Sequence, residues 1–241
     1  MAYYDRDEKI LNLLTQYNSM KTEELAEHLY VSLSTLRRDL VRLEKKGLIV
    51  RTHGSAAIKM HSADEKIPFF LREQEQNSAK AQMARKAAGF VRDGYTIMLD
   101  GTTSAYAMIP YLAEFKNLIV ITSSAKSSFV LGQMGINNIC TGGRMIPGSL
   151  SYVGEDAQRT AAVYNADILF FSCRGISPDG MLTDNSVEEN NLRRVMMSRC
   201  KKKVLLCDSS KLGKTCLHNL CHAREVDEII CEAPLPEYLL T

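Results

Sequence analysis

The chain of 241 residues contains no apolar run long enough to form a membrane-spanning helix. Its start, MAYYDRDEKI, lacks the basic-then-apolar order of a secretory leader. Both absences point to a soluble, cytoplasmic protein with no membrane partner. There is no C-x-x-C pair among its seven cysteines at 140, 173, 200, 207, 216, 221 and 231, and their spacing is irregular. Four of them lie in or beside apolar runs, so they read as reduced thiols within the fold. The cluster Cys216, His218, Cys221 and His222 fits no common zinc spacing, and neither a metal nor a cofactor is expected. Repeats and low-complexity tracts are absent too, which removes solenoids and disordered tails from consideration.

What is present is ordinary globular material, 45% hydrophobic and 24% charged, and enough of it for one small module and one domain of common size. Net charge is only +2, but its distribution is uneven. Between residues 30 and 60 stand seven basic side chains and two acids, a local excess of five positive charges.

Apolar residues at Ile10, Leu11, Leu13 and Leu14 predict a first helix over 6–17, ended by Asn18-Ser19. Thr22, followed by Glu23 and Glu24, reads as the cap of a short second helix to Leu29. Ser32 reads as the cap of a third helix reaching Lys46 and closed by Gly47. That helix carries the stripe Leu33, Leu36, Leu40 and Leu43. If the leucines face inward, Ser34, Thr35, Arg37, Arg38 and Arg42 face outward. "LIVRT" and "SAAIK" then form a hairpin around His53-Gly54. Three helices and a β-wing over residues 1–59 make a winged helix-turn-helix. Residues 60–77, aperiodic and interrupted by Pro68, read as a linker that docks through Phe69, Phe70 and Leu71.

From residue 78 to 241, helical and strand patterns alternate. Helices are expected over 78–90, 103–114, 125–133 and 188–199. Strands are expected over 95–99, 118–122, 136–141, 166–172, 203–207 and 227–231. Continuous apolar strands between amphipathic helices imply a mostly parallel α/β sheet covered on both faces.

Two groups of residues carry chemistry. In the third helix, hydroxyls and cations on one outward face suit the major groove of double-stranded DNA, with Arg51 and His53 of the wing reaching phosphates or the minor groove. The competing readings are a solvated basic helix, or a helix-turn-helix used only for protein contacts, and His53 can equally point into solvent. In the second domain, Asp100, Gly101, Thr102, Thr103 and Ser104 follow a strand and open a helix. Thr122, Ser123 and Ser124 follow another, and Ser210 and Lys211 a third. Ligands of open α/β sheets bind outside the carboxyl ends of strands, so these loops can converge on one anion pocket with Lys211 as its point charge. The alternative for the first loop is a tight turn whose Thr and Ser serve as caps.

The stretch "VSLSTLRRDLVRLEKKGLIVRTHGSA" resembles the signature of the DeoR family of bacterial transcriptional regulators. Ser55 stands where the family pattern has a second glycine. The resemblance extends through "MLDGTTS", "ITSS", "TGGRM", "GISPDGMLT" and "DSSKLGK". It implies a sensor domain similar to ribose-5-phosphate isomerase and a phosphorylated sugar effector held by the loops named above, with repression as the usual mode. The rival is a working isomerase joined to a helix-turn-helix. Aldose-ketose isomerisation needs a carboxylate base, and where the isomerase relatives carry an acid pair this chain reads "FFSCRGISPDG". No catalysis is therefore expected, and Arg174 there can meet an anionic effector or solvent. The implied assembly is a homodimer or homotetramer presenting paired helices to repeated half-sites.

Overall fold

The computed structural model describes residues 3–59 and 68–239. The chain forms two compact units, Met1–Glu75 and Gln76–Thr241.

The first unit contains α1 (Tyr3–Tyr17), β1 (Ser19–Lys21), α2 (Thr22–Leu29), α3 (Leu33–Lys45), β2 (Ile49–Thr52), β3 (Ser55–Ile58) and α4 (Phe69–Gln74). This is the winged helix-turn-helix that the sequence suggests. The hairpin β2–β3 gains a third antiparallel strand, β1, on the other side of β3. At three residues β1 is too short for its alternation to register in sequence, but it buries Met20. The cap of α2 is Lys21 rather than Thr22. The Thr22 amide instead donates to the Gly54 carbonyl at 2.8 Å, which ties α2 to the wing. Only Gly54 in the wing's turn takes a positive φ, and the Ser55 hydroxyl bonds that of Thr52, so no second glycine is needed. Of the stretch expected as linker, residues 60–67 lie outside the described residues. Residues 69–74 form α4, whose Leu71 is buried in the first unit's core, with Phe70 packed against it.

Helix α3 begins where the Ser32 hydroxyl accepts from the Thr35 amide at 3.3 Å. It ends where Gly47, at φ 71°, lets the Leu48 amide reach the Leu43 carbonyl. Leu36, Leu40 and Leu43 are buried with Ile10, Leu14 and Leu25. Leu33 leaves the expected stripe: it is 38% exposed, because the cover over α3 runs out at its first turn. Asp39 is the reverse case, a charged residue only 1% exposed. Its carboxylate accepts from Arg6 Nε at 2.5 Å and lies 2.7 Å from an Arg42 guanidinium nitrogen.

In the second unit the elements are α5 (Asn77–Ala88), β4 (Thr96–Leu99), α6 (Thr103–Tyr106), α7 (Ile109–Leu112), β5 (Ile119–Thr122), α8 (Ala125–Gln133), β6 (Asn137–Cys140), β7 (Arg144–Ile146), β8 (Ser151–Val153), α9 (Glu155–Ala162), β9 (Ala166–Phe171), β10 (Gly175–Ile176), β11 (Met181–Asp184), α10 (Val187–Ser198), β12 (Cys200–Leu206), β13 (His218–His222) and β14 (Glu228–Ile230). Six strands form a parallel sheet in the order β14-β12-β9-β4-β5-β6. One core packs Ile97, Leu99, Phe170 and Leu206 with Met83 and Leu112; the other packs Met98, Leu169, Phe171 and Leu205 with Leu192 and Met196. The single helix expected over 103–114 is split into α6 and α7. Pro110 has no N–H to donate to the carbonyl four residues back, so the helix cannot run through. Strands β10, β11 and β13 form a small antiparallel sheet, and β7–β8 a separate hairpin, both unanticipated.

The sheet order fixes where a site can form. Strands wind outward from β4 through β5 to β6, and outward from β9 through β12 to β14 on the other side. The winding reverses between β4 and β9, and loops leaving their carboxyl ends part and open a crevice there.

Asp39 generates a test of the first unit. Burial alone would raise its pKa, but the hydrogen bonds and charges of Arg6 and Arg42 outweigh burial and hold it below its ordinary value. A carboxylate depressed in the folded state stabilises above its unfolded pKa and loses that contribution as pH falls through the folded value. Asp39→Asn should therefore cost about 1–3 kcal/mol at neutral pH. The gap from wild type in denaturant titrations should shrink as pH drops below about 4.

Candidate DNA-reading face and effector site

On α3 the structure separates arginines that look alike in sequence. Arg37 and Arg38 are exposed and form no ion pair among the described residues. Arg42, expected on the same face, is instead half-buried and committed to Asp7 and Asp39. The cause is helical geometry: three residues beyond Asp39, Arg42 falls beside its carboxylate. Ser34 is exposed and Thr35 half-buried, and the hydroxyls of both bond to that of Ser32. In the wing, Arg51 is exposed and pairs with Glu44 at 2.8 Å, and His53 sits exposed in the turn. The free cations of the proposed face are thus Arg37 and Arg38.

In the second unit, the loops after β4, β9 and β12 are joined by hydrogen bonds, and the loop after β5 meets the β4 loop at a small cavity that Lys211 does not line. Asp100, at the end of β4, is buried and heavily bonded. Its Oδ1 accepts from the Thr102 amide at 3.0 Å and the Thr102 hydroxyl at 2.6 Å. Its Oδ2 accepts from the Ser172 amide at 3.2 Å and from Arg193 Nε at 2.9 Å. Arg193, on α10 and 3% exposed, also donates to Asp184 Oδ2 and Asn190 Oδ1, each at 2.9 Å. One buried guanidinium therefore bridges two carboxylates from different loops. Burial opposes Arg193's charge, yet Asp184 and Asp100 outweigh it and raise its pKa, so the group is permanently cationic. Burial likewise pushes Asp184 upward, and Arg193 overrides it and keeps the carboxylate ionised.

Lys211 follows β12. Its ammonium donates to Ser172 Oγ at 2.9 Å and Ser104 Oγ at 3.3 Å, and pairs with Asp208 at 3.1 Å. Burial works against its charge, but the attraction of Asp208 prevails and raises its pKa. Lys80 of α5, a second buried cation, adds to the field that keeps Asp208 ionised.

The predicted residues divide by role. Thr102 caps α6, Thr122 accepts from the Ser124 amide, and Ser124 caps α8, so these hydroxyls serve the turns themselves. Thr103 is buried in the first turn of α6. Ser123 and Gly101 line a cavity of about 10 Å³ with Asp100, Arg193, Glu189 and Ser151. That space is barely one water in size. Arg174 is half-exposed, with Nε 3.8 Å from Asp184 Oδ1. Asp184, Arg193, Asp208, Ser151 and Ser172, none of them among the residues expected from sequence, adjoin the candidate site as well. Arg193 has a sequence signal: with Asn190 and Met197 it falls on the inward row of an otherwise amphipathic helix.

The hairpin β7–β8 closes the crevice. Leu150 O accepts from the Ala125 amide at 2.9 Å, and the Tyr152 amide donates to Ser123 O at 2.7 Å. Ser151 lies directly on Gly101, where an added Cβ would stand 2.2 Å from the Ser151 hydroxyl oxygen. Glycine is required there by close approach, not by backbone angle.

A winged helix-turn-helix with free arginines on its third helix, joined to a doubly wound α/β unit with a charged crevice at its switch point, defines a DNA-binding regulator of the sensor-domain type. Residues 6–61 match the family model for the DeoR-like helix-turn-helix domain, and residues 75–233 that for the DeoR C-terminal sensor domain. The chain belongs to the DeoR family of transcriptional regulators. It is 31% identical over 236 residues to an uncharacterized HTH-type transcriptional regulator, YulB, of Bacillus subtilis, covering 98% of this chain and 91% of that one. It is 31% identical to the L-fucose operon activator of Escherichia coli, covering 94% of both chains. The glycerol-3-phosphate regulon repressor of the same species is 29% identical, over 98% of this chain and 93% of that one. Among solved structures, eIF2B delta from Chaetomium thermophilum aligns with a TM-score of 0.50 at 20% identity, covering 69% of this chain and 60% of that one. Ribose 5-phosphate isomerase A from Methanocaldococcus jannaschii aligns at 0.43 and 19% identity, over 57% and 55%. Among the described residues no helix is long and apolar enough to cross a membrane.

The contact of Ser151 with Gly101 yields a prediction. Gly101→Ala should destabilise the second unit by about 1–3 kcal/mol through overpacking. Combined with Ser151→Gly, which removes both nearby side-chain atoms, it should cost less than the two single changes added together. A double-mutant cycle by chemical denaturation reads the coupling, and strict additivity counts against the close approach.

Proposed function

We propose that this regulator is a repressor that holds operator DNA through Arg37 and Arg38 of α3 and releases it when a phosphorylated sugar enters the crevice of the second unit. The observation that carries the effector half is the meeting of Asp100, Ser104, Ser172, Arg193 and Lys211, from three strand-end loops and α10, in one hydrogen-bonded cluster at the switch point. Lys211 is its adaptable cation. An ammonium with three rotatable donors and serine partners can exchange a hydroxyl for a phosphate oxygen with little rearrangement. Asp100 and Asp184 offer acceptors for sugar hydroxyls, while Arg193, saturated by carboxylates, holds them in place. The names of two relatives, one acting on an L-fucose operon and one on a glycerol-3-phosphate regulon, agree with a carbohydrate-derived ligand. A homodimer or homotetramer would present α3 to paired half-sites. Ligand control requires different affinity for two arrangements of the protein, and the hairpin β7–β8, whose Ser151 closes the small cavity beside Asp100 and Arg193, is the element we assign to that change.

Two experiments test this reading. Arg37→Ala and Arg38→Ala should each weaken binding to a duplex selected from a random library by about 1–3 kcal/mol. Fluorescence anisotropy at several salt concentrations measures it, and unchanged affinity in both variants refutes the assigned face. For the effector, a thermal-shift screen with phosphorylated sugars should yield at least one that raises the melting temperature of wild type. Lys211→Ala should abolish that rise while leaving DNA affinity intact, and an undiminished rise refutes the pocket.

A further inference from the structure

The first turn of α3 leaves an apolar side chain in the open. Leu33 is 38% exposed, whereas Leu40, two turns on in the same row, is 2% exposed. One turn along α3, Arg37 is the i+4 neighbour of Leu33, so the two side chains lie on adjoining parts of the outer surface. The polar groups that would ordinarily read bases at this end are already engaged: Ser34 and Thr35 share hydrogen bonds with the Ser32 hydroxyl at 3.0 and 2.9 Å. Leu33 also borders an open groove whose α2 side carries Glu23 and Glu27. Those carboxylates disfavour a phosphate backbone there, leaving base edges as the part of a duplex that can meet Leu33.

Base edges in the major groove present one apolar group, the C5-methyl of thymine. We infer that Leu33 is a specificity-determining residue that packs on a thymine methyl while Arg37, one turn further along, addresses a neighbouring base pair. This rests on the DNA-reading role proposed for α3. The contact supplies selectivity without a hydrogen bond, which matches a helix start whose hydroxyls are satisfied internally. It also accounts for a leucine placed at the border of the buried stripe, where its burial is completed by the duplex.

The test uses the full chain. Selection from a random duplex library gives the sequences wild type prefers, and the same selection is run with Leu33→Ala. Each thymine of the selected site is then replaced by deoxyuridine, which removes the methyl alone. At one thymine per half-site, wild type should lose roughly fourfold in affinity, the value of one buried methyl-sized group. Leu33→Ala should show no loss there and should relax its preference at that position, while remaining folded by its cooperative melting transition. An equal deoxyuridine penalty in both proteins, no penalty at any thymine, or an unaltered selected site in Leu33→Ala overturns the inference. A wild-type chain that selects no sequence refutes the DNA-reading face itself, a separate outcome from any of these.

Discussion

The second unit is organised around one charge almost wholly removed from solvent. Arg193 lies inside the protein with Asp100 and Asp184 on its nitrogens, and an unpaired guanidinium in that position would be prohibitive. The pairing fixes two loops at once. Asp100 ends β4, and its second oxygen holds the Ser172 amide just beyond β9, so the two strands that flank the reversal of winding are clamped by a single carboxylate. Asp184 ends β11 and is thereby tied to α10. Because the guanidinium has its carboxylates already, the nearby Lys211, held by two hydroxyls and one carboxylate, is the cation with partners that can be exchanged.

The same physics works with signs reversed in the first unit. Asp39 is a buried anion between Arg6 and Arg42, and its demand for counter-charge decides which arginines of α3 belong to the protein. Arg42 is taken by the interior. Arg37 and Arg38, both exposed, have no such claim on them among the described residues. A helix with five positive charges' worth of sequence context thus offers fewer free cations than its composition suggests, and affinity for a polyanion follows the free ones.

How much of this is written in the sequence depends on the range over which each cause acts. Helix limits set by local chemistry, such as the Ser32 cap, the Gly47 stop and the helix over 125–133, are legible because one or two residues decide them. The parallel strands are legible as apolar runs. What escapes is decided at a distance. Strand β1 exists because β3 offers an edge to it. Ser151 matters because it lands on Gly101, fifty residues away in the chain. Arg42 reads as an outward cation until Asp7 and Asp39 are seen beside it, and Leu33 reads as core until the missing cover above it is seen. The loops that would form a pocket are found at the expected strand ends, but sequence could not say which hydroxyls were spent on capping. Thr102 and Ser124 are; Ser104 and Ser123 are not.

The tightness of the crevice bears on how a ligand could control the protein. The cavity of about 10 Å³ beneath Ser151 holds no sugar, so a ligand that used the proposed site on that side would have to displace the hairpin that carries Ser151. The hairpin is held by main-chain bonds to Ser123 and Ala125, by contact with Gly101, by the exposed Arg144–Glu188 ion pair and by the buried Val153. The main-chain bonds are of modest net value, about 0.5–1.5 kcal/mol each. Opening the hairpin would therefore cost less than dismantling the Arg193 cluster, and on the proposed reading the charged floor would stay fixed while a ligand entered. The apparent affinity equals the intrinsic affinity reduced by the fraction of molecules already open. Substitutions that loosen the hairpin should on this view tighten ligand binding without touching the ligand, because they raise that fraction and leave the floor unchanged.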